Sequence, residues 1–376
     1  MIQQLFEKTG LRQRLQRSYL GIEITDYCIK LVEIEPQQAG LPAIKRCILE
    51  PLANDAVTNG IIADSASVVR SLKQLLSDHK VKSRNVHFAL PTHLVLIRFL
   101  KFPDISQQDL RKMIQFEIEH NLQLPFEHPC HDFVKLNGKY QQAKPSDMLR
   151  KEISVKDLFS RKKGQRPMVL PSGSLDSSES DEQNMCDVLL AAAPSERVQE
   201  YAEVLEAAGL QLLSFEVKPL ALYRLMTQVY LANKDQTILV ADIGRNNVDL
   251  LIIHQGELKI SRNISLRFLT TASKGLFSKE REMLNEICLE LADEIDRLIK
   301  FYMYTLDHRD HEMSNVYLCG DIDQLEEIKD YLNEQMQQEV FLLPNPAIIE
   351  TMYPDLDSDF PAFAAPLGMA IRGKEA

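Results

Sequence analysis

The sequence predicts an α/β protein built on a duplicated unit, with a small α+β subdomain inserted into its first half. Three observations carry this. The stretches 19–52 and 237–264 each read as three consecutive short strands. Each is followed by helices with apolar residues at 3.6-residue spacing that alternate with further strands. The chain of 376 residues, 45% hydrophobic and 26% charged, has the composition of a globular protein with two or more domains.

The elements follow in order. Residues 1–18 form a cationic leader, with Lys8, Arg12, Arg14 and Arg17 against Glu7, and at most a weak membrane contact is expected of it. Tyr19–Ile24, Ile29–Glu35 and Ala43–Leu52 read as the first meander, turned at Thr25, Asp26 and Tyr27. A helix runs from Asp64 to about His79, with Asp64 or Ser65 as its cap and Val68, Leu72 and Leu75 on its apolar face. Asn85–Leu90 and Leu94–Phe102 are strands. An amphipathic helix from Ser106 to Leu122 places Leu110, Ile114 and Ile118 on one side, and Pro125 closes it. Cys130–Leu136 is a strand. From about 141 to 184 a basic block precedes a Ser-, Asp- and Glu-rich one without sustained periodicity, which reads as a mobile inserted loop.

Order returns with a strand at Asp187–Ala193, a helix that Ser195 would cap and Gly209 would stop, and a strand at Leu212–Val217. A helix over Pro219–Tyr230 leads to the second meander, Thr237–Ile243, Val248–His254 and Leu258–Ile264. One long helix is expected over 279–305, then a polar exit at Asp307–Glu312 and a strand at Asn315–Cys319 ending on Gly320. A helix at Leu325–Met336, a strand at Val340–Leu343 and a helical turn at Leu367–Arg372 complete the chain. A repeated β-β-β-α-β-α order is the organisation of the actin-like, ribonuclease-H-like ATPase fold. The expected division is a leader at 1–18, a first actin-like part at 19–91, an inserted subdomain at 92–210, and the remainder with the second actin-like domain at 211–372.

Composition narrows function. A formal net charge of −11 disfavours indiscriminate nucleic-acid binding. The six cysteines form no CxxC pair and read as buried reduced thiols. No apolar run approaches the roughly 20 residues of a membrane-spanning helix, and no signal-peptide core opens the chain, so a cytoplasmic protein is expected. Fourteen glycines are about half the usual share of roughly 7%, which works against several glycine-rich phosphate loops. No GxSxG, HExxH, GxxxxGK[ST] or GxGxxG occurs. His128, Cys130 and His131 have ligand chemistry but no second pair nearby, and a turn into a strand explains them better than zinc.

Gly21 to Ile34, reading GIEITDYCIKLVEI, resembles the opening of the PilM family of type IV pilus assembly proteins. The match continues through Ala89-Leu90-Pro91, Pro103, Glu117-Ile118-Glu119, Leu124-Pro125-Phe126 and Asp132-Phe133. It resumes at Val188–Ala193, Ala207–Leu210, Ala241-Asp242-Ile243-Gly244, Leu318-Cys319-Gly320 and Asn345-Pro346. The resemblance implies an actin-like fold related to FtsA and a cytoplasmic protein at the face of the inner membrane. It implies a grip on the N-terminal cytoplasmic peptide of the bitopic membrane protein PilN, and through it a place with the PilN/PilO subcomplex near the assembly ATPases.

That family also implies ATP and Mg²⁺ between two hairpin turns. Candidate nucleotide-site residues are Glu23, Thr25, Lys30, Asp242, Gly244, Arg245, Asn246 and Gly320. The first turn departs from the pattern: Glu23 replaces Asp, Thr25 replaces Gly, and Asp26, Tyr27 and Cys28 replace three serines. A Cβ at Thr25 hinders close approach and Asp26 repels phosphate. Lys30 survives as a phosphate ligand. The second turn keeps Asp242 and Gly244, and the adenosine-side loop reads Gly320-Asp321-Ile322-Asp323. A degenerate nucleotide site, no required cofactor and no catalytic residue are therefore expected. The alternatives are an active Mg·ATP cycle, or an FtsA-like membrane adaptor, for which Ile371–Ala376 supplies no amphipathic helix. The partner groove is expected among Leu94–Phe102, Met113–Leu124 and Leu189–Ala193.

Overall fold

The computed structural model describes residues 18–35, 37, 42–136, 185–230, 236–266, 280–306, 313–346 and 360–374. The leader, the 141–184 loop and the polar exit at 307–312 lie outside these residues, apart from Ser18 at the leader's end.

Strands β1 (Tyr19–Ile24), β2 (Cys28–Glu35) and β3 (Ala43–Pro51) form an antiparallel meander, because turns of a few residues can only reverse the chain. A short ribbon, β4 (Val57–Thr58) with β5 (Ile61–Ile62), leads to α1 (Ser65–Asp78). Asp64 caps that helix by accepting from the Ser67 amide at 3.0 Å. The helix is the crossover that allows β6 (Asn85–Leu90) to pair parallel to β1.

The chain then leaves the sheet. Thr92–Leu94 form a 3₁₀ turn, so β7 starts at Leu96 and runs to Pro103, two residues later than the sequence pattern suggests. Ser106 caps α2 (Gln107–His120) as expected, accepting from the Asp109 amide at 3.2 Å. β7 forms a three-stranded antiparallel sheet of order β7-β9-β8 with β8 (Pro129–Lys135) and β9 (Met185–Pro194). Phe102, Leu110, Ile114, Phe133, Val188 and Leu190 make a separate core there.

α3 (Ser195–Ala207) returns to the first domain, so the inserted unit ends at Pro194 rather than at 210. Its apolar stripe, Val198, Tyr201 and Leu205, packs with Leu72 and Leu75 of α1 beneath the sheet, and Tyr201 donates to the Gly60 carbonyl at 2.9 Å. Ser195 makes no side-chain cap: its amide donates to the His128 carbonyl at 3.0 Å and it is already the first helical residue. β10 (Gln211–Val217) pairs parallel to β6, giving the order β10-β6-β1-β2-β3.

α4 (Lys218–Gln228) links to the second domain, which repeats the first. β11 (Thr237–Ile243), β12 (Val248–His254) and β13 (Glu257–Ile264) form its meander. α5 (Glu280–Lys300) crosses to β14 (Asn315–Gly320), and α6 (Leu325–Gln335) to β15 (Glu339–Leu342). The order β13-β12-β11-β14-β15 matches the first sheet strand for strand. The long helix is not one piece: α5 stops at Lys300, and Phe301–Thr305 widen into a π turn that buries Tyr302 beside His254, with ring centroids 6.0 Å apart. α7 (Ala364–Ala370) and α4 lie between the two sheets. Val32 and Ile34 meet them from one side, Val240 and Ile253 from the other. Both central strands, β11 and β12, are buried along their whole length, as strands covered on both faces must be. All six cysteines are free thiols, five of them buried.

Candidate functional site

Two concave sites arise from this architecture. The first lies at the carboxyl ends of the parallel strands, where open α/β sheets collect ligands. The β1–β2 turn (Thr25–Tyr27) and the β11–β12 turn (Gly244–Asn247) face each other across a cavity of about 60 Å³ that also takes in Glu23, Lys30, Lys218, Asp242 and Asp321. The structure thus brings together Glu23, Thr25, Lys30, Asp242, Gly244, Arg245 and Asn246 as the sequence suggests. Gly320 stands behind Asp321 rather than on the cavity.

The polar groups of both turns are already engaged. The Thr25 hydroxyl accepts from the amides of Tyr27 and Cys28 at 3.2 and 3.0 Å. Asp26 accepts from the Asn59 and Gly60 amides at 2.7 and 2.9 Å. Across the cleft, Tyr27 OH donates to Asn246 Oδ1 at 2.9 Å, and Asn246 Nδ2 donates to Asp26 at 2.8 Å. His93 and Asn247 meet at 3.1 Å. Arg245 lies over the Tyr27 ring, 5.4 Å from its centroid, and within 3.4 Å of Asp323, in a half-exposed position where such pairs contribute little.

Beneath the turns is a buried ion cluster. The β1–β2 register sets Glu23 opposite Lys30, and Lys30 Nζ lies 2.7 Å from Glu23 and 3.2 Å from Asp321 of the other domain. The equivalent pair in the second domain is Asp242 opposite Asp249, two like charges that a sheet does not tolerate unaided. Lys218 resolves this: its Nζ lies 2.8 Å from both and 3.4 Å from Glu23. Thr92 and Asn263 donate to Asp249 at 3.1 and 2.7 Å. Four carboxylates thus share two ammonium groups. Burial would raise the Glu23 carboxyl, yet Lys30 and Lys218 outweigh it and hold it at about 2. Burial would depress both lysines, and the surrounding carboxylates raise them instead. At Asp242 burial wins over Lys218 and the pKa is raised.

Lys218 and Asp249 escape sequence reading. Their signals are present nonetheless. A lysine opening a helix, just before Pro219, opposes the helix dipole and needs a compensating acid. An aspartate inside the apolar run of β12 needs a partner.

The second site is a groove of about 120 Å³ between the first domain and the inserted unit. Its walls are β8 from Cys130 to Val134, β9 at Leu189 and Ala191–Ala193, and β10 at Phe215–Val217, closed by Leu220 and Arg224 of α4 and by Arg372. The β9 segment is where the sequence places the groove. Of Leu94–Phe102 only Val95 contributes, and Met113–Leu124 contributes nothing, because α2 turns that stretch away and offers Gln107 and Arg111 instead. β10 and β8 are both sheet-edge strands in the described topology, so two unpaired strand edges flank the groove.

At its floor Arg224 Nη1 donates to Glu216 at 2.9 Å, Arg372 Nη1 to the other Glu216 oxygen at 2.7 Å and to Ser214 Oγ at 3.2 Å, and Ser214 meets His87 Nδ1 at 2.8 Å. Burial opposes the Glu216 charge, but Arg224 and Arg372 hold its pKa at about 2. Burial pushes His87 down from 6.5 to about 4. The unfolded chain therefore takes up this proton well before the folded one, and acid favours unfolding across that window. Stability is expected to fall from about pH 6.5 towards 4, and further below about 4.5 as Glu23 and Glu216 resist protonation. His87→Gln should remove the upper limb, roughly 2–3 kcal/mol between pH 7 and 4. Urea titrations at fixed pH read this, and an unchanged slope would refute it.

The two-domain fold with repeated 3-2-1-4-5 sheets is actin-like. A family model described as type IV pilus assembly protein PilM matches residues 21–154 and 173–266, and the chain belongs to that family. It is similar to the solved "PilM-PilN type IV pilus biogenesis complex" at 22% identity, TM-score 0.71, over 95% of this chain and 99% of that one. It is more distantly similar to the ethanolamine utilization protein EutJ from Carboxydothermus hydrogenoformans, at 14% identity and TM-score 0.47 over 99% of both chains. MreB5 of Spiroplasma citri bound to ADP matches at 12% and 0.41, over 95% and 94%.

Proposed function

We propose that this chain is a non-catalytic actin-like scaffold in the assembly of a type IV pilus or related filament. It holds the N-terminal cytoplasmic peptide of a PilN-like bitopic membrane protein in the groove between the first domain and the inserted unit. Through that peptide it joins a PilN/PilO subcomplex at the cytoplasmic face of the inner membrane, beside the assembly ATPase. The observation that carries this is the groove itself: apolar walls between two unpaired strand edges suit an extended peptide, whose main chain pairs with an edge while its side chains enter the pocket. The PilM–PilN complex supports the choice of partner. Among the described residues no helix is long and apolar enough to cross a membrane.

The inter-domain cleft does not fit Mg·ATP. The Thr25 hydroxyl occupies amides that would cradle phosphate, Lys30 is committed to Glu23 and Asp321, and the cluster below carries excess negative charge. The domains are joined there by the Lys30–Asp321 and Lys218–Glu23 ion pairs.

An immobilised N-terminal peptide from a PilN-like protein of the same organism should capture it. Leu220→Arg, which puts a charge into the groove, should weaken capture at least about 10-fold. No capture by the unaltered protein overturns the reading. Millimolar Mg·ATP should move the melting temperature by less than about 1 °C. A larger saturable shift, lost in Lys30→Ala and Asp242→Ala, would establish the ATP-binding alternative.

A further inference from the structure

We propose that the floor of the groove is a carboxylate-reading site built on Arg224, so that its occupant is an apolar segment carrying one acidic group. This rests on the groove being the docking site. Arg224 lines the groove and yet is only 1% exposed. Its Nη1 donates to Glu216 and, at 2.6 Å, to the Gly368 carbonyl, which fixes the guanidinium plane. Its Nε and Nη2 are buried and have no acceptor among the described residues. These two nitrogens form the side-on fork of a guanidinium, the edge that takes both oxygens of a carboxylate in parallel.

An arginine cannot relieve this by losing its proton. Buried, charged and unmatched donors are costly, so an acceptor arriving with a ligand gains the full difference. The surroundings select a charged acceptor over a neutral one. Glu216 is shared between Arg224 and Arg372, which leaves one positive charge in excess. The other carboxylate of the groove, Asp132, lies 3.3 Å from Arg111. The walls formed by Phe133, Leu189, Val198, Phe215 and Val217 offer no side-chain acceptor. A carboxylate matches both free donors and the excess charge, whereas a carboxamide offers one oxygen and no charge.

The test uses the full chain, ¹⁵N-labelled, with 4-methylpentanoate and its amide as probes, a branched apolar tail on either head group. The Arg224 Nε–H resonance, assigned by its loss in Arg224→Lys, should shift saturably with the acid. The acid should bind at least about 5-fold more tightly than the amide. Equal binding of the two probes, or no shift with the acid, overturns the proposal. Calorimetric titration of the unaltered protein with each probe gives the same acid-over-amide ratio without the variant, so the test stands even if Arg224→Lys does not fold. Acid-selective binding that leaves capture of the PilN-like peptide unaffected would uphold the carboxylate site and remove the peptide from this groove. Capture with equal binding of acid and amide would do the reverse.

Discussion

Lys218→Met is expected to destabilise the protein by about 3–5 kcal/mol in urea titration at pH 7, the range for breaking a buried ion pair. Methionine keeps the unbranched stem and removes only the charge. What it leaves behind is the Asp242–Asp249 pair of adjacent strands, buried, directly opposed and without the ammonium that lies 2.8 Å from each. Glu23 retains Lys30, so the loss falls mainly on the second domain and its junction with the first. Adding Asp249→Asn should restore at least half of the stability, because the damage is an uncompensated charge rather than a cavity. A loss below about 1 kcal/mol, the value of an exposed pair, would show that the cluster is solvated and does not join the domains.

Gly320→Ala is expected to cost roughly 3 kcal/mol or more, from strain and steric overlap together. Gly320 has φ +120°, and a Cβ there would overlap the carbonyl of Ile243, its partner in the parallel β11–β14 pair. That carbonyl accepts from the Asp321 amide at 3.1 Å, so the strands would separate beside the Lys30–Asp321 pair. Gly209→Ala is the control. It too has positive φ (+84°), but a Cβ there meets nothing within 4 Å, so only backbone strain of about 1–2 kcal/mol applies. Equal losses in urea titration would show that the close approach at Gly320 is relieved by a small backbone shift.

Much of the fold is legible in the chain because its signals are local. Continuous apolar runs give Thr237–Ile243 and Val248–His254 their bounds, and Asp64 and Ser106 cap the helices they precede. The errors arise where tertiary contact decides. The stripe on Ser195–Ala207 shows that a helix is present but not which sheet it covers, and it covers the first. Phe301–Thr305 continue a helical pattern yet widen into a π turn around Tyr302. The candidate site divides in the same way. Asn246 sits in, and Glu23, Lys30 and Asp242 on the strands beside, turns that sequence order identifies. Asp249 joins them through the β11–β12 register, and Lys218 only because α4 passes between the two sheets.

The amino-acid sequence by itself determined the duplicated meanders, the inserted unit and the family, since strand period, helix period and motif order are properties of neighbouring residues. Tertiary structure decided what those residues do. It set Lys30 between Glu23 of its own domain and Asp321 of the other, and it placed two strand edges and Arg224 around one groove. Charge pairing and concavity depend on distances across the chain, and only packing sets those distances.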